Sequence, residues 1–92
     1  MSRADRIRRV IEAGLAPERL EVVDDSGRHA GHAGARPDGE THYAVTIVAA
    51  AFAGMSRVNR QRLVYDLLAD EFRTGLHALQ LTTLAPGEAP RA

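Results

Sequence analysis

The side chains with the widest chemical reach in this chain are its four histidines, His29, His32, His42 and His77. There is no cysteine, which excludes a disulfide framework, a thiolate metal site and a thiol nucleophile. Any metal must therefore be taken by His, Asp or Glu, and imidazole suits the borderline ions. His29 and His32 sit in a glycine-rich run, S-G-R-H-A-G-H-A-G-A-R-P-D-G-E, that spans residues 26–40. A loop carrying two imidazoles, with a further histidine at a strand start, can converge on one soft or borderline metal. The plainer reading is a set of exposed loop histidines, with His42 an ordinary hydrogen-bonded residue at a strand edge.

Other chemistry is absent from the pattern. No phosphate-binding G-x-x-x-x-G-K-[ST], no H-E-x-x-H and no G-x-S-x-G occurs, so no enzyme class is indicated. Asp24 and Asp25 are adjacent, and adjacent strand residues point to opposite faces, so they read as a turn signal rather than an acid pair. Gly31-His32-Ala33-Gly34 has the G-x-x-G form of a nucleic-acid clamp. It falls between two strands, however, where that clamp joins two helices. The run Gly54-Met55-Ser56-Arg57, where a clamp belongs, lacks the second glycine.

The elements that must position these residues follow from periodicity. Ser2-Arg3-Ala4-Asp5 has the form of an N-terminal cap. Ile7, Val10, Ile11 and Leu15 then recur at helical spacing, giving a first helix over residues 3–13 stopped by Gly14 and Pro17, with Arg3, Arg6 and Arg9 off its apolar stripe. Residues 19–24 form a short β-rich run. Residues 25–40 break all periodicity, and a loop of that length in a small domain is a place for function. From Thr41 to Ala49 the chain alternates, with Tyr43, Val45 and Ile47 on one face and His42, Ala44 and Thr46 on the other. A connector over residues 50–55 leads to Ser56, which can cap a second helix over residues 57–73 with Val64, Leu67, Leu68 and Phe72 as its stripe. Gly75 ends that helix, and residues 76–83 make a third strand. The order α-β-β-(turn)-α-β predicts a small α+β sandwich with both helices on one face of a three-stranded sheet. Residues 1–84 make a single domain, and the Pro/Gly-rich residues 85–92 read as a flexible tail.

Composition bounds the rest. The chain has 92 residues, with 12 Lys+Arg against 12 Asp+Glu and a net charge of zero. A protein that binds nucleic acid by broad electrostatics is ordinarily basic, so that class is disfavoured. No apolar run approaches the length of a membrane span, and the Arg-rich first ten residues lack a following apolar segment of the secretory kind. A cytoplasmic, non-membrane protein is the expectation.

Four spaced blocks carry a resemblance: L-A-P-E-R-L-E-V-V-D-D-S (15–26), G-E-T-H-Y (39–43), F-A-G-M-S-R-V-N-R-Q-R-L-V-Y (52–65) and L-H-A-L-Q-L (76–81). Together they resemble the BolA family over nearly the whole chain, in family order. The resemblance implies a class II KH-like α-β-β-α-β fold, in agreement with the element order. It implies a non-enzymatic partner of a monothiol glutaredoxin, the two sharing a [2Fe-2S] cluster in iron–sulfur trafficking or iron homeostasis. Glutaredoxin and a bound glutathione would supply thiolates, and this chain imidazole. The family's histidine in its V-H-A-L block falls on His77. A second ligand in the loop between the first two strands falls on His29 or His32: the S-G-x-H block favours His29, and counting back from G-E-T-H favours His32, which lies among glycines that let the loop fold over a cluster. Alone, such a chain is expected to be a monomer or weak homodimer.

The resemblance also implies an alternative, since some family members are described as transcriptional regulators. Residues 52–68 have a turn-then-helix form, and Arg57, Arg60 and Arg62 at the start of that helix would contact DNA phosphates or a partner protein. Asp66, Asp70 and Glu71 nearby neutralise that face.

Overall fold

A computed structural model describes residues 1–25 and 41–89. Its elements are α1 (Arg3–Leu15), β1 (Arg19–Asp24), β2 (His42–Val48), a 3-10 turn (Ala50–Phe52), α2 (Arg57–Leu67), α3 (Ala69–Arg73) and β3 (Ala78–Leu84). The sheet order is β1-β2-β3. β1 runs antiparallel to β2, with Val22 opposite Val45. β3 runs parallel to β2, with His42 opposite Ala78. A parallel pair needs a crossover, and α2 and α3 supply it. The α+β architecture and element order are those expected.

Alternation along β2 buries Tyr43, Val45 and Ile47 on one face. The helices cover that face, α1 against β1 and α2 against β3. Ile7, Ile11 and Leu15 from α1 and Val64 and Leu68 from the crossover complete the core. Phe52 is fully buried in the 3-10 turn, so the short connector is part of the core.

α1 starts as its sequence dictates. The Ser2 hydroxyl accepts from the Asp5 amide and the Asp5 carboxylate accepts from the Ser2 amide, a reciprocal cap that satisfies two otherwise unpaired donors. It ends two residues later than expected. Gly14 lies inside the helix, where a Cβ would stand 2.9 Å from Leu67 Cδ2. Its role is therefore close approach of α1 to α2 rather than termination. The left-handed residue that stops α1 is Ala16, at φ 44° and ψ 56°. That conformation costs a residue with a Cβ about 1–2 kcal/mol. Ala16→Gly is expected to stabilise the fold by about 0.5–1 kcal/mol after the extra unfolded-state entropy of glycine. A urea titration would show it as a higher midpoint at unchanged slope.

Arg3 and Arg60 are buried on helical faces whose sequence pattern reads as purely apolar. Arg3 is 7% exposed and donates to Glu71 Oε1 at 2.8 Å, the Glu71 carbonyl at 3.1 Å, Thr74 Oγ1 at 3.1 Å and the Thr74 carbonyl at 3.0 Å. Arg6 adds a second bridge to Glu71 at 3.1 Å. Arg3 is thus on the inward side of α1, fastening it to α3 and the turn beyond. The second helix is interrupted at Leu68, whose backbone (φ −97°, ψ 12°) leaves the helical range. Leu68 is itself fully buried at that break.

The segment after β3 is not a free tail over its described length. Ala85 is buried, its amide donates to Glu88 Oε1 at 2.7 Å, and the Glu88 amide donates back to the Ala85 carbonyl at 3.0 Å. Gly87 takes the positive φ (85°) of the turn.

Candidate functional site

His77 is exposed immediately before β3. Its backbone is held from both sides. Leu76, 3% exposed, anchors the preceding residue in the core, and its amide donates to the Glu71 carbonyl at 2.8 Å. The amides of His77 and Ala78 both donate to the Thr41 carbonyl, at 2.7 and 3.0 Å. The imidazole therefore projects from a fixed backbone, which suits a ligand better than a mobile loop does.

The parallel register brings a second imidazole beside it. His42 opens β2 opposite Ala78, and its ring centroid lies 5.3 Å from that of His77, with the planes at 53°. His42 is 7% exposed, and its Nδ1 is 2.9 Å from Thr41 Oγ1. The Asp25 amide donates to the His42 carbonyl at 2.7 Å. Beside the pair opens a depression of about 410 Å³ lined by Asp25, His42, Tyr43, Ala78, Leu79 and Gln80. The sequence reading left His42 as an edge residue. A strand start seventeen residues beyond Asp25 and another after a long crossover show no adjacency until the register is known. His29 and His32 lie outside the described residues, so the choice between them stays open.

The three arginines of the second helix separate. Arg57 and Arg62 are exposed. Arg60 is not: its side chain is 7% exposed and donates to the Met55 carbonyl at 3.1 Å, the Thr83 carbonyl at 3.2 Å and both Glu88 oxygens at 2.6 and 3.1 Å. Its guanidinium carbon also stands 5.8 Å from the Phe52 ring centre. The place of Arg60 among surface cations is thereby corrected; it locks the 3-10 turn, α2 and the segment after β3 together. The signal was in the spacing, since Arg60, Val64 and Leu68 stand four apart on one helical stripe.

That ion pair has a pH signature. The hydrogen bonds from Arg60, and then from the Ala85 amide, hold the Glu88 carboxyl down at about 2, from an ordinary 4.5. A carboxyl depressed on folding stabilises the fold above its unfolded value and loses that contribution as the pH falls through the folded one. Wild type is therefore expected to lose thermal stability between pH 4.5 and 2 more steeply than Glu88→Gln. The two melting-temperature curves should differ most at neutral pH and converge near pH 2.

Among the described residues no helix is long and apolar enough to cross a membrane. The family model for BolA-like protein matches residues 11–88. The chain is 52% identical over 91 residues to SufE-like protein 1, chloroplastic/mitochondrial, of Arabidopsis thaliana, covering 95% of this chain and 24% of that one. It is 48% identical over 91 residues to Protein BOLA1, chloroplastic, of the same plant, covering 97% of this chain and 57% of that one. The chain thus spans about a quarter of the first relative and just over half of the second. With the DNA-binding transcriptional regulator BolA of Escherichia coli K12 it shares 42% identity over 79 residues, 86% of this chain and 71% of that one. The BolA domain of SufE1 from Arabidopsis thaliana superposes with a TM-score of 0.87 at 50% identity, over 97% of this chain and 98% of that one. With matched residues running from inside α1 to the Glu88 that closes the fold, the chain belongs to the BolA family.

Proposed function

We propose that this chain is a non-enzymatic adaptor that binds a monothiol glutaredoxin and contributes imidazole to a [2Fe-2S] cluster the two share. The observation that carries this reading is His77: an exposed imidazole on a backbone fixed by the Thr41 carbonyl and the buried Leu76, at the position of the family's V-H-A-L histidine. A chain with no cysteine has imidazole to offer and must receive thiolate from elsewhere. Glutaredoxin and glutathione meet that need. Within this chain His77 would hold one iron, with His29 or His32 as the second donor. When bound, the cluster supplies one-electron chemistry and transferable iron and sulfide, and exchanging thiolate for neutral imidazole raises its potential. The protein's own part is to orient the imidazole on a rigid strand end.

The test is anaerobic cluster reconstitution with a monothiol glutaredoxin and glutathione, followed by visible absorption and circular dichroism. A spectrum distinct from that of the glutaredoxin homodimer is the expected result. An unchanged homodimer spectrum overturns the reading.

A second reading is a DNA-binding regulator, supported by the printed name of the Escherichia coli relative. Arg57 and Arg62 would contact phosphate, without Arg60, which is bound to Glu88. Its sign would be a sequence-selective mobility shift whose affinity falls with salt.

A further inference from the structure

We propose that His42 and His77 together form a site at which this chain, by itself, binds a single borderline divalent ion such as Zn²⁺. The geometry fits. A zinc–nitrogen bond of about 2.0–2.1 Å puts each imidazole centre about 3.1 Å from the metal, so two rings meeting at a tetrahedral angle stand about 5.1 Å apart. The observed separation is 5.3 Å, with the rings tilted at 53° rather than stacked. At this separation the two imidazoles can share one ion once a nitrogen of each turns toward a common point.

The surroundings support the pair. His42 Nδ1 lies 2.9 Å from the Thr41 hydroxyl, the outer-shell contact that fixes tautomer and ring orientation in a ligating histidine. A metal would take Nε2. The Thr41 carbonyl meanwhile holds the His77 backbone, so one residue orients both rings. Asp25 lines the adjoining depression and places negative charge near the ion. Among the described residues no third ligating side chain joins the group. Water would complete the coordination of such an ion, leaving the site open and exchangeable.

The inference shares His77 with the cluster reading but does not rest on it. A bound ion and a shared cluster compete for the same imidazole, so divalent metal is expected to inhibit cluster formation with glutaredoxin.

The test is titration of the full chain, without glutaredoxin, with Co²⁺ as a spectroscopic stand-in for Zn²⁺. One ion per chain is expected, with visible bands of a low-coordinate nitrogen–oxygen site that Zn²⁺ abolishes. Paramagnetic broadening should reach the ring resonances of both His42 and His77. His77→Ala and His42→Gln should each weaken binding at least tenfold, while the His29→Ala/His32→Ala double variant leaves it unchanged. Since His42 is buried, the broadening in wild type tests its role even if His42→Gln folds poorly. Absence of Co²⁺ binding at millimolar concentration, or broadening confined to one of the two rings, overturns the proposal. So does loss of binding in the loop double variant. If the chain alone takes no Co²⁺ yet forms the mixed cluster with glutaredoxin, this inference fails and the shared-cluster reading stands.

Discussion

Glu71→Ala is expected to cost the fold about 3 kcal/mol, at the low end of the range for removing one partner of a buried ion pair. Arg3 and Glu71 are 7% and 6% exposed, so the substitution strands a guanidinium away from water. The cost stays at the low end because Arg3 keeps the carbonyls of residues 71 and 74 as acceptors, and because Arg6, with a side chain 40% exposed, can turn to solvent. Against a total stability of about 5–10 kcal/mol for a domain this small, the loss is a large fraction. Arg3→Met combined with Glu71→Leu should recover most of it, leaving about 1 kcal/mol for the carbonyls that lose their donor. Asp70→Ala removes an ion pair with Arg73 whose side chains are 80% and 75% exposed, and is expected to change stability by less than about 0.5 kcal/mol. Urea unfolding of wild type and the three variants checks the series. A Glu71→Ala midpoint equal to that of Asp70→Ala would refute the buried-pair account.

The same residues show how far the sequence could be read. Apolar periodicity located α1, the central strand and the crossover, because burial of Ile7, Ile11, Val45 and Ile47 is what the stripe and the alternation encode. It failed at Arg3 and Arg60, since a hydrophobicity pattern scores arginine as outward whatever its partner. Each is inward because a carboxylate distant in sequence, Glu71 or Glu88, meets it there. Gly14 was misread as a stop for a related reason: its missing Cβ makes room for Leu67 on another helix, and nothing local reports that. The left-handed Ala16 that does end the helix carries no sequence signal, since alanine is an unfavourable choice for it.

At the site, the histidine content and the absence of cysteine narrowed the chemistry before any fold was known, and the L-H-A-L-Q-L block singled out His77. The pairing with His42 was hidden. It depends on a parallel register between β2 and β3, and parallel pairing is set by a crossover rather than a local turn. The one-residue offset also matters. Because His42 faces Ala78 rather than His77, the two rings approach from a strand end and from the residue just before a strand, so no alternation pattern links them.

His77→Ala is expected to abolish the mixed-cluster spectrum while leaving the fold intact, since the side chain is exposed and its backbone bonds to Thr41 do not depend on it. Loss of a first ligand should lower the yield of cluster-bridged complex by more than the roughly 10–100-fold typical of outer-shell substitutions. His77→Cys separates a ligand from a bystander. A thiolate there should keep the cluster but add a negative charge to one iron, lowering its potential by at least about 100 mV, given the gap between imidazole-ligated and all-thiolate centres. A residue that merely shaped the glutaredoxin interface would lose or keep the complex in both variants without moving the potential. Between the loop histidines, the variant that reproduces the His77→Ala spectrum names the second donor. If neither His29→Ala nor His32→Ala does, while His42→Gln does, the second imidazole comes from the strand start beside His77. If His77→Ala itself leaves the spectrum unchanged, the shared-cluster reading of this chain is wrong.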